Sequence, residues 1–202
     1  MLLEVTLSGV TLGGMYALVA MGLTLQYGVA RIMNLSYGEL LIAAAFAAFW
    51  FYSGLALNPL LGLIVVPPLA FAASYAVYRY LLQPLVRRAK SRDQLEVDSI
   101  LATFGLLFVI QGVMLALFGG AYYSYSFLSV PLQFAGATVA ANRLLALVLA
   151  VVIVLGLYLG LTRTRLGTAV RAVAVDPVAA QLVAIDVRTA SALAFALGGA
   201  LV

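Results

Sequence analysis

The chain has 202 residues, 65% of them hydrophobic and only 9% charged, with a net charge of +4 and a mean hydropathy of +1.15. A soluble domain of this size needs far more charge to cover its core, so the composition implies an all-α, polytopic transmembrane helical bundle. Apolar runs of about twenty residues argue against a β-barrel, and the lack of Cys and His excludes disulfides, thiolate chemistry, His-ligated metals and His general bases.

The N-terminal Met-Leu-Leu-Glu-Val-Thr-Leu has no basic region and no small-residue cleavage site behind a short apolar core. The first apolar segment is therefore expected to stay as a span rather than to be removed as a signal. Spans are expected near 7–27, 37–52, 59–80, 99–118 and 144–161, within a single transmembrane domain covering 1–202. A further apolar run starts at Thr189 and reaches Val202 before attaining the roughly twenty residues that a crossing needs. The sequence is accordingly expected to be a partial chain, truncated inside a membrane helix.

Orientation follows from the basic residues. Arg31 follows the first span, Arg79, Arg87, Arg88, Lys90 and Arg92 follow the third, and Arg163, Arg165, Arg171 and Arg188 follow the fifth. Placing these three segments in the cytoplasm leaves only Arg143 outside, and puts the N-terminus with Glu4 outside. The basic stretch Arg87–Asp93 reads as an orientation signal and an attraction for anionic headgroups.

The first span carries Gly9, Gly13 and Ala17 at four-residue spacing, with Gly14, Tyr16 and Gly22 alongside. Small residues at this spacing let helices approach closely, so this face is expected to be buried among other helices, as ordinary tight packing or, on the alternative reading, as part of a central helix that helps line a pathway. Between the first two spans, Tyr27 to Glu39 is too polar for lipid and too short for a domain. Asn34 or Ser36 could cap the next helix, with Glu39 near its positive end. Equally, an interrupted helix at membrane depth is where transporters place polar contacts, which makes Asn34, Tyr37, Gly38 and Glu39 candidates for a translocation path. The stretch 119–142, with Tyr122, Tyr123, Tyr125, Phe127, Pro131 and Gly136, reads as an outer aromatic belt that is long enough to meet an external protein.

The last charged segment, Gly167 to Asp186, is Ala-rich and lies between two apolar runs. Asp176-Pro177 is a helix start, because Asp caps and Pro suits the first helical position. Two short helices are expected, about 167–175 and 177–184, slim enough to enter a partner's groove and carrying Arg171 as a fork of donors. The rival reading is an amphipathic linker lying on the membrane surface.

These motifs together resemble the inner-membrane permease subunits of the branched-chain amino acid ABC importers. Gly13-Gly-Met-Tyr-Ala-Leu-Val-Ala-Met-Gly-Leu-Thr-Leu-Gln-Tyr-Gly28 is similar to the family's glycine-rich first span, and Asn34-Leu-Ser-Tyr-Gly-Glu39 resembles its Asn-Phe-Ala-His-Gly-Glu motif. Gly167, Arg171-Ala172, Asp176-Pro177 and Ala180 resemble its ATPase-coupling loop. Tyr37 stands where the family usually has His, Leu35-Ser36 replace Phe-Ala, and Ala184 replaces a common Gly. The resemblance implies a second permease subunit, two cytoplasmic ABC-type ATPases, an extracytoplasmic amino acid-binding protein, and location in a bacterial inner membrane. It implies no directly bound cofactor, with ATP used by the partner ATPase. The sequence agrees on one independent point: the single lysine, Lys90, follows Ala89, so no G-x-x-x-x-G-K-[ST] loop exists. The expected function is thus ATP-driven import of branched-chain or related amino acids, with urea or short amides as alternative substrates. The chain is expected to be no enzyme itself, since no catalytic side chains converge. An ion- or proton-coupled transporter or channel is the rival class, but Glu39 is the one acidic residue within the expected spans.

Overall fold

The computed structural model describes residues 2–55, 58–134 and 137–202. Its elements in chain order are α1 (Leu2–Ala30), α2 (Tyr37–Ser53), α3 (Pro59–Ala76), a π-helical turn (Val77–Leu82) and α4 (Gln83–Arg88). There follow α5 (Arg92–Phe118), a two-stranded antiparallel hairpin of β1 (Pro131–Phe134) and β2 (Ala137–Ala140), α6 (Ala141–Arg163), α7 (Arg165–Val175), α8 (Pro177–Leu182) and α9 (Val187–Ala200). Among the described residues, four helical runs are long and apolar enough to cross a membrane: α1, Pro59–Arg88, Asp93–Phe118 and α6. The apolar helices α2 and α9 are shorter.

The expected segments and the helices differ most between residues 79 and 98. That stretch was expected to be a loop; instead the third helix runs on through the π-helical turn to Arg88, and α5 already starts at Arg92. Arg and Lys are good helix formers, so basic character marks a membrane boundary without ending the helix. The chain breaks only at 89–91, where the Ser91 hydroxyl accepts the Gln94 N–H at 3.1 Å and caps α5. The hairpin within 119–142 was also not anticipated; its Pro131↔Ala140 and Leu132↔Val139 pairs lead directly into α6. Gly136 lies outside the described residues.

Helix α9 packs between α1 and α3 and is the most enclosed element: Ala192, Ala194, Phe195 and Ala196 are buried. Its small residues set the contact distances. A Cβ on Gly22 of α1 would collide with the Tyr37 hydroxyl and the Gly198 carbonyl, and one on Gly198 would strike the Gln26 side chain. On the other side of α9, a Cβ on Gly199 would meet the Ser74 hydroxyl of α3. Two apolar clusters complete the interior. Val29, Val170, Val173, Ala180, Ala190 and Ala194 join α1 to α7, α8 and α9. Ala30, Ile32, Tyr78, Leu82, Ala192 and Phe195 join the end of α1 to the π-helical turn and α9, with the Tyr78 and Phe195 rings 5.5 Å apart.

The small-residue face of α1 is therefore not the one expected. Gly14, whose Cβ would run into Leu147 of α6, and Gly22 make the close approaches, whereas Gly9, Gly13, Tyr16 and Ala17 point outward with open space around both glycines. Four-residue spacing finds a helix face but does not say which of two adjacent faces meets the neighbour.

Helix α8 ends in a Schellman turn. Ile185 N–H reaches the Ala180 carbonyl at 3.1 Å and Ala184 N–H the Gln181 carbonyl at 3.0 Å, with Ala184 at φ +62°. That left-handed position favours glycine, and the exposed Ala184 holds it without packing in return. Ala184→Gly is expected to raise the unfolding free energy by about 1 kcal/mol, read as a higher thermal midpoint in detergent; a drop would contradict the assigned backbone geometry. Gly22→Ala is expected to destabilise the bundle by about 1–3 kcal/mol through overpacking, while Gly13→Ala changes stability by less than about 1 kcal/mol. Equal losses at the two glycines in the same unfolding measurement would refute the packing described.

Candidate translocation path and coupling surface

The segment 31–36 leaves α1 in a tight reversal, with Arg31 at φ +56° and its N–H on the Tyr27 carbonyl at 3.0 Å. Its backbone is irregular, and Ile32, Asn34 and Ser36 are buried, so the polar groups on that side need partners from the protein. Gln26 supplies the first: its Nε2 donates to the Phe195 carbonyl of α9 at 2.9 Å, and its Oε1 accepts from Asn34 Nδ2 at 3.1 Å. Asn34 Oδ1 in turn accepts the Ser36 N–H at 3.1 Å and the Ser36 hydroxyl at 2.7 Å. From α5, the Thr103 hydroxyl accepts the Leu35 N–H at 3.1 Å and has the Ser99 and Met33 carbonyls at 2.8 and 3.1 Å for its single proton. Gln26, Asn34, Ser36 and Thr103 are all buried.

This geometry corrects the capping expectation. Neither Asn34 nor Ser36 caps α2 with its side chain; both are used inside the turn, and α2 starts without a side-chain cap bond. The Tyr37 hydroxyl donates to the Gly198 carbonyl of α9 at 3.0 Å, beside Gly22, which pins the start of α2 well up the length of α1. Tyr37 is buried, Gly38 is exposed, and Glu39 is half-buried in the first turn of α2. Of the candidate path residues, the fold brings Asn34 and Tyr37 into one buried network. Gly38 starts the outward face of α2 that continues through Leu41, Ile42 and Ala45, and Gly13 and Tyr16 lie on the outward face of α1. Tyr16 is 70% exposed.

At the far end of α2 an aromatic ladder closes the bundle. Phe46 stacks on Phe118 at 4.4 Å between centroids, Phe49 meets Tyr123 at 5.0 Å, and Tyr52 meets Tyr125 at 5.0 Å. Tyr123 also donates its hydroxyl to the Phe118 carbonyl at 2.8 Å, so these tyrosines pack back on α2 while Tyr122 projects freely.

The segment 164–186 forms an elbow. Thr164 caps α7 by accepting the Gly167 N–H at 3.0 Å, and Gly167 is buried so tightly on α6 that a Cβ would collide with the Gly160 and Leu161 backbone. Asp176 caps α8 by accepting the Val178 and Ala179 N–H groups at 2.8 and 3.1 Å, with Pro177 in the first turn. At the start of α9, the Thr189 hydroxyl at 2.5 Å from Asp186, together with the Thr189 and Arg188 N–H groups, holds the Asp186 carboxyl below the usual carboxylate range. The inner side of the elbow is fixed by Val170, Val173, Ala180 and the partly buried Ala172. Arg171 is exposed and lines a groove of about 270 Å³ with Met21, Leu25 and Val29 of α1.

The outer side carries residues that sequence reasoning passed over. Val175, Val178, Leu182 and Val183 are 67 to 85% exposed, in a segment whose ends are charged. Their signal was available: large aliphatics sit beside the Asp-Pro helix start, out of register with the alanines that pack inward.

A family model described as the branched-chain amino acid transport system permease component matches residues 5–201. Among curated proteins, the high-affinity branched-chain amino acid transport system permease protein BraD of Pseudomonas aeruginosa is 29% identical over 98% of this chain and 67% of its own length. The permease LivH of Escherichia coli is 23% identical with the same coverage, and the probable LivH of Methanocaldococcus jannaschii is 26% identical over 91% of this chain and 58% of its own length. The chain thus spans about two thirds or less of the length of these relatives. No solved structure matches. A match over nearly every residue, on a helical bundle with four membrane-length helices, makes this chain a member of the branched-chain amino acid transport system permease family.

Proposed function

We propose that the chain is a membrane-spanning permease subunit of an ATP-driven importer for branched-chain or related amino acids, and that its α7–α8 elbow receives a cytoplasmic ATPase. The elbow carries this reading: its inner face is locked onto α1, α6 and α9, while Val175, Val178, Leu182 and Val183 are uncovered on the other. Exposed aliphatics on a charged, water-side segment are a partner's contact rather than a lipid's. The partner set is that of the family: ABC-type ATPases, a second permease subunit and an extracytoplasmic amino acid-binding protein, in a plasma membrane with the N-terminus outside. The orientation rests on the distribution of basic residues. Segment 31–36, the π-helical turn and the elbow, which neighbour the basic stretches, share the clusters around Val29 and Ile32 at one end of the bundle.

In the transport step, closure of the ATPase pair would move the elbow, and the helices packed on it would rock between outward and inward access. Asn34, Tyr37, Gly38 and Glu39, with the outward face of α1 at Gly13 and Tyr16, would border the path. Contacts along it are expected to be weak, because a carrier that binds tightly in transit does not release. Gly167, Arg171, Ala172, Asp176, Pro177 and Ala180 shape the elbow, and Arg171 supplies a donor fork at its edge. The chain binds no cofactor of its own in this scheme.

Arg171→Glu, and separately Leu182→Asp, are expected to reduce ATP-dependent uptake of leucine to background in cells expressing the whole complex, with the variant chains still present in the membrane at normal levels. The Leu182→Asp complex should also lose its ATPase on affinity purification in mild detergent. Unchanged uptake and unchanged ATPase recovery by both variants would overturn the coupling surface.

A further inference from the structure

Arg31 has no place in the scheme so far, yet it is the side chain that bonds segment 31–36 to the elbow. Its Nη2 donates to the Ala174 carbonyl at 3.2 Å, in the last turn of α7. A helix C-terminus carries unpaired carbonyls and partial negative charge, so a guanidinium there is held by charge as well as by the bond. On the other side Arg31 is adjacent to Ile32, which is 1% exposed among Tyr78, Leu82 and Phe195. Two residues further on, Asn34 belongs to the buried amide network. The left-handed backbone of Arg31 is an unfavourable conformation for a long side chain and is the one that sends the chain back into the bundle.

We infer that Arg31 is a positioning residue for coupling: a strut that transmits displacement of the C-terminal end of α7 to the segment carrying Asn34 and Tyr37. This rests on the coupling role proposed for the elbow. The apolar contacts of Val29 with Val170 and Val173 can slide, because dispersion between aliphatic groups is non-directional. The exposed Arg31–Ala174 bond is directional and anchored on the left-handed turn, so a shift of α7 beyond the reach of the side chain pulls on 31–36.

The test uses the complete complex, with its ATPases and binding protein, reconstituted in proteoliposomes. The readout is the number of molecules of leucine, isoleucine or valine imported per ATP hydrolysed. Arg31→Asn keeps a residue that tolerates the left-handed backbone but is too short to reach Ala174. It is expected to lower the import-to-hydrolysis ratio by about tenfold while leaving the ATPase rate and the thermal midpoint close to those of the unaltered complex. Arg31→Lys, which retains charge and reach, is expected to recover most of the ratio. A normal ratio in Arg31→Asn overturns the strut. A loss of thermal stability with an unchanged ratio assigns Arg31 a structural role only, and also overturns it. If the unaltered complex imports none of the three amino acids with ATP, the functional reading itself fails and the strut falls with it.

Discussion

The structure depends on one buried amide pair. Gln26 and Asn34 hydrogen bond to each other, and their remaining atoms hold the Phe195 carbonyl and the N–H and hydroxyl of Ser36. Without this pair, the buried polar groups of the non-helical segment would be left unpaired, at about 1–3 kcal/mol each. Because each polar atom of the pair has a partner, it also fixes geometry. Asn34 determines where the chain turns, Tyr37 determines where α2 starts, and α9 is drawn against α1 until only glycine fits at 22 and 198. A network satisfied to this degree rigidifies what it touches.

That rigidity gives the elbow something to act on. Helices α7 and α8 have little membrane-spanning character of their own, and their shape follows from local chemistry: Thr164, Asp176 and Asp186 cap three successive helices, and Gly167 lets α7 fold back on α6. Their inward residues are small or β-branched and form a continuous contact with Val29 and Ala194. A force on the outer aliphatics would therefore reach α1 and α9 through packed side chains, and reach segment 31–36 through the bonds at its two ends. The opposite end of the bundle is stitched differently, by rings from α2 stacking on Phe118 and on the tyrosines after it. One end is organised by directional polar bonds and the other by aromatic area.

Much of this was legible in the sequence. The helical class, the Asp176-Pro177 helix start and a polar interruption within 27–39 follow from hydropathy, capping chemistry and residue size; the structure narrows the interruption to 31–36. What was not legible required knowing neighbours. Ser36 looks like a cap, but its hydroxyl is claimed by Asn34, two residues away, and that choice depends on Gln26 and Thr103 from other helices. The outward face of α1 at Gly13 could not be told from the packed face at Gly14 and Gly22, since the two are one residue apart and both are rich in small residues. The length of the third helix was hidden by basic residues that mark the interface and still propagate a helix. Arg31 looked like one more positive charge; only the fold brings it to the end of α7.

Amide hydrogen exchange across residues 31–37 in the intact complex, comparing the unaltered chain with Asn34→Ala, tests whether the Gln26–Asn34 pair organises this turn. The Leu35, Ser36 and Tyr37 amides, bonded to Thr103 Oγ1, Asn34 Oδ1 and the Asn34 carbonyl, are expected to be protected like neighbouring helix amides. Asn34→Ala is expected to expose them, together with the α9 amides near Phe195. Fast exchange at 35–37 in the unaltered complex, or protection untouched by Asn34→Ala, would contradict that role of the pair.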